Sequence, residues 1–370
     1  MSVHRISVLL GVLTFGLIVW GGHVNTTRSG MAFPDWPTSN TNPMLTYAPS
    51  QWLWQGDKFW EHGHRLFASM VGVVTVGLTV LAWRATPHAD RPNGVIAGFV
   101  LLVLGTIASA IIGLQSMPTG FMEAFMIAMA ISLGTFLIAA KRSNNTRRIL
   151  WLCLAAFAGV CLQGAFGGYT VRNNLPAWTS VTHGMLAEVF FTIVLAIEWL
   201  SSKSSVALKQ TSKTVKLVTL ATWCFIAIQF LLGAITRHTE SWGVSVTWPM
   251  WSETNWLPTT DLWQFPQVVI HFIHRTTAYA VAVMILVQAY VLRGTSTSTW
   301  GYLQVALVVV QIALGVGVIT EARNEAITTL HVMVGVVLLA VASRMTFTYN
   351  LSRTSNAKGM INAQPIGMHV

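Results

Sequence analysis

Ten apolar stretches follow one another along the chain, separated by polar segments. A helix needs about 20 mostly apolar residues to cross the hydrocarbon core of a bilayer, and each stretch is close to that length. The pattern therefore predicts an all-α, polytopic membrane protein with about ten transmembrane helices. The predicted helices span residues 6–22, 63–83, 94–115, 121–140, 149–168, 180–200, 215–235, 270–292, 300–320 and 327–346.

Composition agrees with this pattern and excludes other classes of protein. Hydrophobic residues make up 53% of the 370 positions and charged residues only 9%, whereas a soluble protein carries roughly 25% charged residues. A soluble enzyme, a disordered chain and a disulfide-stapled secreted domain are therefore excluded. The three cysteines, Cys153, Cys161 and Cys224, fall inside apolar stretches, which favours packing over a disulfide or zinc site.

The net charge of +10 is interpreted as a topology signal. With the N-terminus in the cytoplasm, most Lys and Arg residues fall in cytoplasmic segments, as the positive-inside rule requires. No small-residue cleavage site follows the first stretch, so it is expected to be a retained helix. No nucleic-acid partner is expected.

Two predicted outer segments, 23–61 and 236–269, are long and hold nine tryptophans between them. Tryptophan is enriched at the headgroup level of membrane proteins. Loops of this length also commonly have a function of their own. The two interpretations are an interfacial aromatic belt and a lid over a flat apolar ligand.

A weak internal repeat is centred on histidines. Residues 61–68 resemble residues 271–278, and residues 162–167 resemble residues 310–315. In both copies of the second pair a glutamine precedes a histidine by 20 positions, as Gln163 precedes His183 and Gln311 precedes His331.

The repeat predicts two homologous four-helix halves. The first half contains a surplus of about two helices, interpreted as an inserted hairpin without histidines. The predicted division is a first half at 1–84 and 145–202, an inserted hairpin at 85–144, a second half at 203–348 and a cytoplasmic tail at 349–370.

Four histidines, His64, His183, His274 and His331, fall at the outer ends of predicted helices in two matched pairs. Ionisable residues inside membrane helices are costly and usually functional. Two imidazoles on facing helices can ligate one haem iron from both sides. Zinc is disfavoured because closed zinc sites need a tetrahedral set, usually with thiolates. The sequence therefore predicts two haem sites.

Three charged residues stand beside these histidines. Glu61, three residues before His64, is suited to stabilising positive charge or accepting a proton, although a helix N-terminal carboxylate also complements the macrodipole. Arg65 and Arg275 directly follow their histidines. Their guanidinium groups suit haem propionates, and snorkelling to the interface is the alternative. His62 is expected to be interfacial rather than a ligand.

These residues resemble the haem A synthase family. The resemblance is carried by Gly21-Gly22, by the segment 29–40 with its Pro-Asp-Trp-Pro, by Glu-x-x-His-Arg at 61–65, by residues 162–171, by His-Arg at 274–275 and by His331. It covers most of the chain except about 85–145.

The resemblance implies an oxidoreductase that converts the C8 methyl of haem O to a formyl group, giving haem A for cytochrome oxidase. It implies that His64 and His183, with Arg65, belong to the substrate-haem site. It further implies that His274 and His331 are the axial iron ligands of a haem b cofactor, and that Glu61 matches the family's essential, catalytic glutamate.

Two features depart from the family pattern. Many bacterial members carry two cysteines in the first outer loop, where this chain has Phe33 and Ser39. The predicted extra helical hairpin is also unusual for a family of eight helices.

The resemblance further implies contact with the lipid bilayer, haem O synthase and cytochrome oxidase assembly, and leaves a homo-oligomer open. A bacterial plasma membrane is the expected location. Two other functions remain alternatives, a di-haem b membrane electron-transfer protein and a haem-handling transporter.

Overall fold

The computed structural model describes residues 2–112, 119–202 and 212–351, without the side chains of 105–112 and 119. Helices dominate this part of the chain, and its only paired strands are Thr38–Ser39 and Asn42–Pro43, which form a small antiparallel hairpin. The all-α prediction is therefore confirmed. The helices are α1 (Val3–Thr26), α2 (Asp57–Ala85), α3 (Asn93–Ile112), α4 (Thr119–Arg142), α5 (Asn145–Arg172), α6 (Ala177–Ser201), α7 (Lys213–His238), α8 (Pro266–Leu292), α9 (Ser298–Thr320) and α10 (Glu325–Asn350).

Nine helices in the described ranges are long and apolar enough to cross a membrane. In the remaining helix, α3, the described side chains reach only Leu104, and Asn93–Leu104 is an apolar helical segment. The chain is therefore a multi-pass membrane protein. The end of the predicted span 94–115 and the predicted tail beyond residue 351 lie outside the described residues.

Several helices extend beyond the apolar stretches that predicted them. The α2 helix begins at Asp57 rather than at residue 63, and α8 begins at Pro266 rather than at 270. Hydropathy marks only the part of a helix that crosses lipid, whereas backbone hydrogen bonding continues into polar residues. A proline suits the first helical position because its missing N–H has no helical partner there. Glu61 consequently lies inside α2 rather than in the preceding loop.

The helices pack as two four-membered rings. In one ring α1 contacts α2, α2 contacts α5, α5 contacts α6, and α6 returns to α1. In the other ring α7, α8, α9 and α10 contact one another in the same cyclic order. The α3 and α4 helices pack outside the first ring, where the Phe99 ring lies 5.2 Å from that of Phe136 and 5.3 Å from that of Phe157.

The two rings meet along α1, α6, α7 and α10. At one end Arg237 donates hydrogen bonds to the carbonyl of Gly22 and the hydroxyl of Thr26. At the other end the Arg344 Nη1 atom lies 3.3 Å from a carboxylate oxygen of Glu198. Polar contacts at both ends thus align the rings.

Candidate functional site

The four predicted histidines lie at one end of the molecule. This loop end carries the two long connections, residues 27–56 between α1 and α2 and residues 239–265 between α7 and α8. His64, His183, His274 and His331 all lie within the first three turns of the helix that leaves this end. The structure therefore places all four at a similar depth.

Each imidazole packs against a glycine of the preceding helix. A β-carbon built on that glycine would lie only 2.8 to 3.2 Å from the histidine Cε1 atom, so a larger residue would displace the ring. The glycine stands five residues before the last residue of its helix in every case. The contacts are Gly21 with His64, Gly167 with His183, Gly233 with His274, and Gly315 with His331.

Three of these histidines also contact a glutamine, which lies one helical turn before the glycine. Gln163 Nε2 donates to the His183 carbonyl at 2.9 Å. Gln229 Nε2 lies 3.1 Å from both the Nδ1 atom and the carbonyl oxygen of His274. His331 contacts Gln311 through both ring nitrogens, at 3.3 Å to its amide and 3.2 Å to its carbonyl.

His64 and His183 lie on α2 and α6 of the first ring, and His274 and His331 lie on α8 and α10 of the second ring, so each ring holds one predicted pair. All four side chains are only partly buried. The Nδ1 atoms of His64 and His183 are buried without a hydrogen-bond partner in the described part of the chain. Such a nitrogen suits ligation of a metal. The first pair therefore fits a bis-histidine haem site. In the second pair ring nitrogens contact Gln229 and Gln311, and a haem site there stays a prediction.

Glu61 and Arg65 form a buried ion pair beside the first histidine pair. Glu61 is 3% exposed, and its second carboxylate oxygen accepts the backbone N–H of Phe33 at 2.9 Å. Arg65 donates to the carbonyls of Phe33, Asp35 and Thr38 at 2.7 to 2.9 Å. The pair therefore attaches the first long loop to α2.

Arg275 repeats this arrangement in the second ring. Its guanidinium donates to the hydroxyl of Ser245 at 2.8 Å and to the carbonyls of Thr247, Pro249 and Met250 at 3.0 to 3.3 Å. The position that corresponds to Glu61 is occupied by His271, which is buried. Both arginines thus bind loop backbone, and their contact with haem propionates stays a prediction.

The expectation that His62 is interfacial is wrong, because its side chain is fully buried. Its Nδ1 lies 3.1 Å from the Ser39 hydroxyl, and its ring lies 4.7 Å from Trp52 and 5.7 Å from Phe33. The first loop folds over the side of α2 that carries His62. Phe33 and Ser39, which the resemblance matches to family cysteines, are both buried in this contact.

The loop tryptophans fall into two groups. Trp36 packs on α5, where a β-carbon on Gly168 would lie 2.2 Å from its ring. Trp54 and Trp256 are exposed by 81% and 68%. Trp36 therefore packs the first loop onto α5, and an interfacial role for the exposed tryptophans stays a prediction.

From sequence, none of the four glycines was assigned as a histidine contact, and Gln229 was not identified. Gln229 precedes His274 by 45 positions, not 20, because a long loop separates α7 from α8. A search for Gln-x-x-x-Gly near helix ends would have found Gln163, Gln229 and Gln311 together.

The fold and the site define a polytopic, all-α membrane protein with one histidine pair in each of two four-helix rings. Comparison with known families identifies the group to which it belongs. The chain is a member of the COX15-CtaA family, described as cytochrome oxidase assembly protein, whose profile matches residues 4–140 and 119–343.

Individual relatives agree with this assignment. The chain is 24% identical over 372 residues to a haem A synthase of Rhizorhabdus wittichii, covering 90% of each chain. It is 24% identical to a haem A synthase of Sphingopyxis alaskensis, covering 90% of this chain and 87% of the relative. It is 25% identical to one of Caulobacter vibrioides, covering 90% and 92%.

Proposed function

We propose that this protein is a haem A synthase, an oxidoreductase that converts the C8 methyl of haem O to a formyl group. The observation that carries the proposal is an asymmetry between two otherwise matching sites. The first histidine pair has the buried carboxylate of Glu61 one helical turn away, whereas the second has His271 at that position. A protein that only carried electrons between two haems would not need a carboxylate at one of them.

The first ring is the proposed substrate site. His64 and His183 would hold the iron of haem O between α2 and α6. Gly21 and Gly167 allow these rings to pack closely against α1 and α5. The loop bound by Arg65 covers neighbouring α2 residues and limits access of water from the loop end.

Glu61 is the proposed catalytic residue. Its carboxylate is oriented by Arg65 on one oxygen and by the Phe33 N–H on the other. A fixed negative charge in a poorly hydrated site stabilises positive charge that develops on a reacting carbon, without reorganising during the reaction. Arg65 acts as a positioning residue that holds this carboxylate in place.

The second ring is the proposed cofactor site. His274 and His331 would be the axial ligands of a haem b, with Gln229 and Gln311 holding their rings. When bound, the haem supplies one-electron redox chemistry. Converting the methyl to a formyl group takes oxygen from water and passes four electrons and four protons to external acceptors. The residues between the rings, Arg237 among them, hold the two sites in fixed relation.

The same proposal extends to location and partners. Most basic residues fall on the side opposite the loop end, which favours a cytoplasmic N-terminus. The similarity to bacterial haem A synthases favours a bacterial plasma membrane. Haem O synthase would supply the substrate, and cytochrome oxidase assembly would receive the product.

Pigment analysis tests the proposal. The protein is expressed in a host that makes haem O but no haem A, and extracted haems are separated by chromatography. We expect haem A or its hydroxymethyl intermediate. Glu61→Gln is expected to abolish conversion while haem b is retained. The exposed carboxylate of Glu325, at the start of α10, provides a matched control, and Glu325→Gln should convert normally.

The alternative functions give different results. Bound haem b without any conversion of haem O, in cells with an intact respiratory chain, would contradict the proposal and favour an electron-transfer protein. Binding of haem O followed by release of the unchanged molecule would favour a transporter.

A further inference from the structure

The four glycine–histidine contacts differ in one respect. One helical turn before the glycine stands a glutamine in α5, α7 and α9, namely Gln163, Gln229 and Gln311. The same position in α1 is occupied by Leu17, which packs with the apolar core. His64 is therefore the one histidine of the four that has no glutamine beside it.

The glutamines restrain their histidines in two ways. Each amide contacts a ring nitrogen of its histidine at 3.1 to 3.4 Å, and two of them also bind the histidine carbonyl. The Oε1 atoms of all three are buried without a partner among the described residues. Each amide thus retains an acceptor for the N–H of an iron-bound imidazole, the usual means of fixing such a ligand.

His64 lacks this support. Its ring rests on Gly21, as the other three rings rest on their glycines. In the described ranges no side chain forms a hydrogen bond with the His64 imidazole or carbonyl, whereas a glutamine contacts each of the other three histidines. Leucine is close to glutamine in size but offers no donor or acceptor. The position thus preserves packing but gives the imidazole no hydrogen bond.

We infer that His64 is the exchangeable iron ligand of the first site and that Leu17 is the positioning residue that makes it so. The inference rests on the proposed function, which requires haem O to enter and haem A to leave in every cycle. A cofactor haem, by contrast, must stay bound. In the second ring both histidines are held by glutamines, and in the first ring only His183 is held.

Haem transfer to apomyoglobin tests this inference without turnover. The purified full-length protein, loaded with haem O, is mixed with excess apomyoglobin, and the loss of haem is followed by its absorbance. Haem is expected to leave in two phases, one from each ring. The phase that changes in Gln163→Leu belongs to the first ring, and the phase that changes in Gln311→Leu belongs to the second. We expect Leu17→Gln to slow dissociation from the first site about two- to tenfold, the effect of one hydrogen bond. The second phase should not change.

Leu17→Met is the matched control, since it conserves size without adding an amide, and it should leave both phases unchanged. A first-site rate that is unaltered in Leu17→Gln, while the second phase stays normal, would overturn the inference. An equal slowing in Leu17→Met would also overturn it, because packing alone would then be responsible. If the wild-type protein shows no first-site haem at all, the proposed function itself fails.

Discussion

Replacing Arg65 by alanine should release the first long loop from α2. Arg65 is buried and donates to three loop carbonyls as well as to Glu61. Hydrogen bonds from a charged group contribute about 1.5–3 kcal/mol each, but they are not additive. Removing one partner of a buried ion pair costs about 3–5 kcal/mol. We therefore expect the closed form of the loop to lose about 3–5 kcal/mol, a factor of about 10² to 10³ or more in the opening equilibrium.

Hydrogen exchange followed by mass spectrometry measures this opening in detergent or nanodiscs. The informative amide is that of Phe33, whose N–H is bound by Glu61 Oε2. Its exchange should accelerate in Arg65→Ala, together with that of the neighbouring loop residues. Unchanged exchange across 33–41 in a correctly folded variant would refute the reasoning.

The internal repeat supplies a matched control for this experiment. Arg275→Ala should accelerate exchange in the second loop, near Ser245 and Thr247, and leave the first loop unchanged. Arg84→Ala, at the far end of α2, should affect neither loop, because Arg84 lies in the last turn of that helix.

Three further predictions concern the first loop. Gly168→Ala should displace Trp36 from α5, because the new β-carbon would lie 2.2 Å from its ring. We expect a cost of about 1–3 kcal/mol, measured as faster proteolysis of the loop. Gly164→Ala is the control, because it has open space around it and should be tolerated. Ser39→Ala removes the hydrogen bond to His62 and should lower the free energy of unfolding by about 1 kcal/mol. An unchanged melting temperature in this variant would contradict the prediction. Partial burial raises the pKa of Asp35, but hydrogen bonds from the Thr38 side chain and from the backbone N–H groups of Thr41 and Asn40 outweigh it, so the net pKa is lowered. The ionised Asp35 carboxylate therefore stabilises the folded loop at pH values above its pKa in the unfolded chain. This contribution should be lost as the pH falls through the lowered pKa of the folded state. Hydrogen exchange of the loop amides should show this acid dependence in the wild type and lack it in Asp35→Asn.

The membrane-spanning helices could be predicted from the chain alone. A segment that crosses lipid must satisfy its own backbone hydrogen bonds, so it forms a helix. Its side chains face hydrocarbon over about 20 residues, so each crossing appears in the sequence as a long apolar stretch. The histidines were identifiable for a related reason. A polar side chain inside an apolar stretch is conspicuous, and the repeat showed that the four occupy matching places.

The loop contacts could not be predicted in the same way. Arg65 and Arg275 donate to loop carbonyls, contacts that the sequence did not indicate. Backbone carbonyls carry no sequence signature, so a guanidinium gives no sign of which it will bind. His62 was expected at the interface. Its burial could not be foreseen, because it depends on how residues 33–52 fold over α2.

The sequence by itself determined the class of protein, the approximate helix positions and the four histidines, because these follow from local hydropathy and from spacing along one chain. Only the tertiary structure decided which glycine faces each histidine, that Glu61 is held by Arg65 and the Phe33 N–H, and that Leu17 stands where the other three histidines have a glutamine. The glycine–histidine contacts join different helices, and the Phe33 N–H reaches Glu61 from the first loop. Because the loops between helices differ in length, residues that contact one another are not separated by one fixed number of positions. Packing of the helices at a common depth in the membrane places these residues side by side.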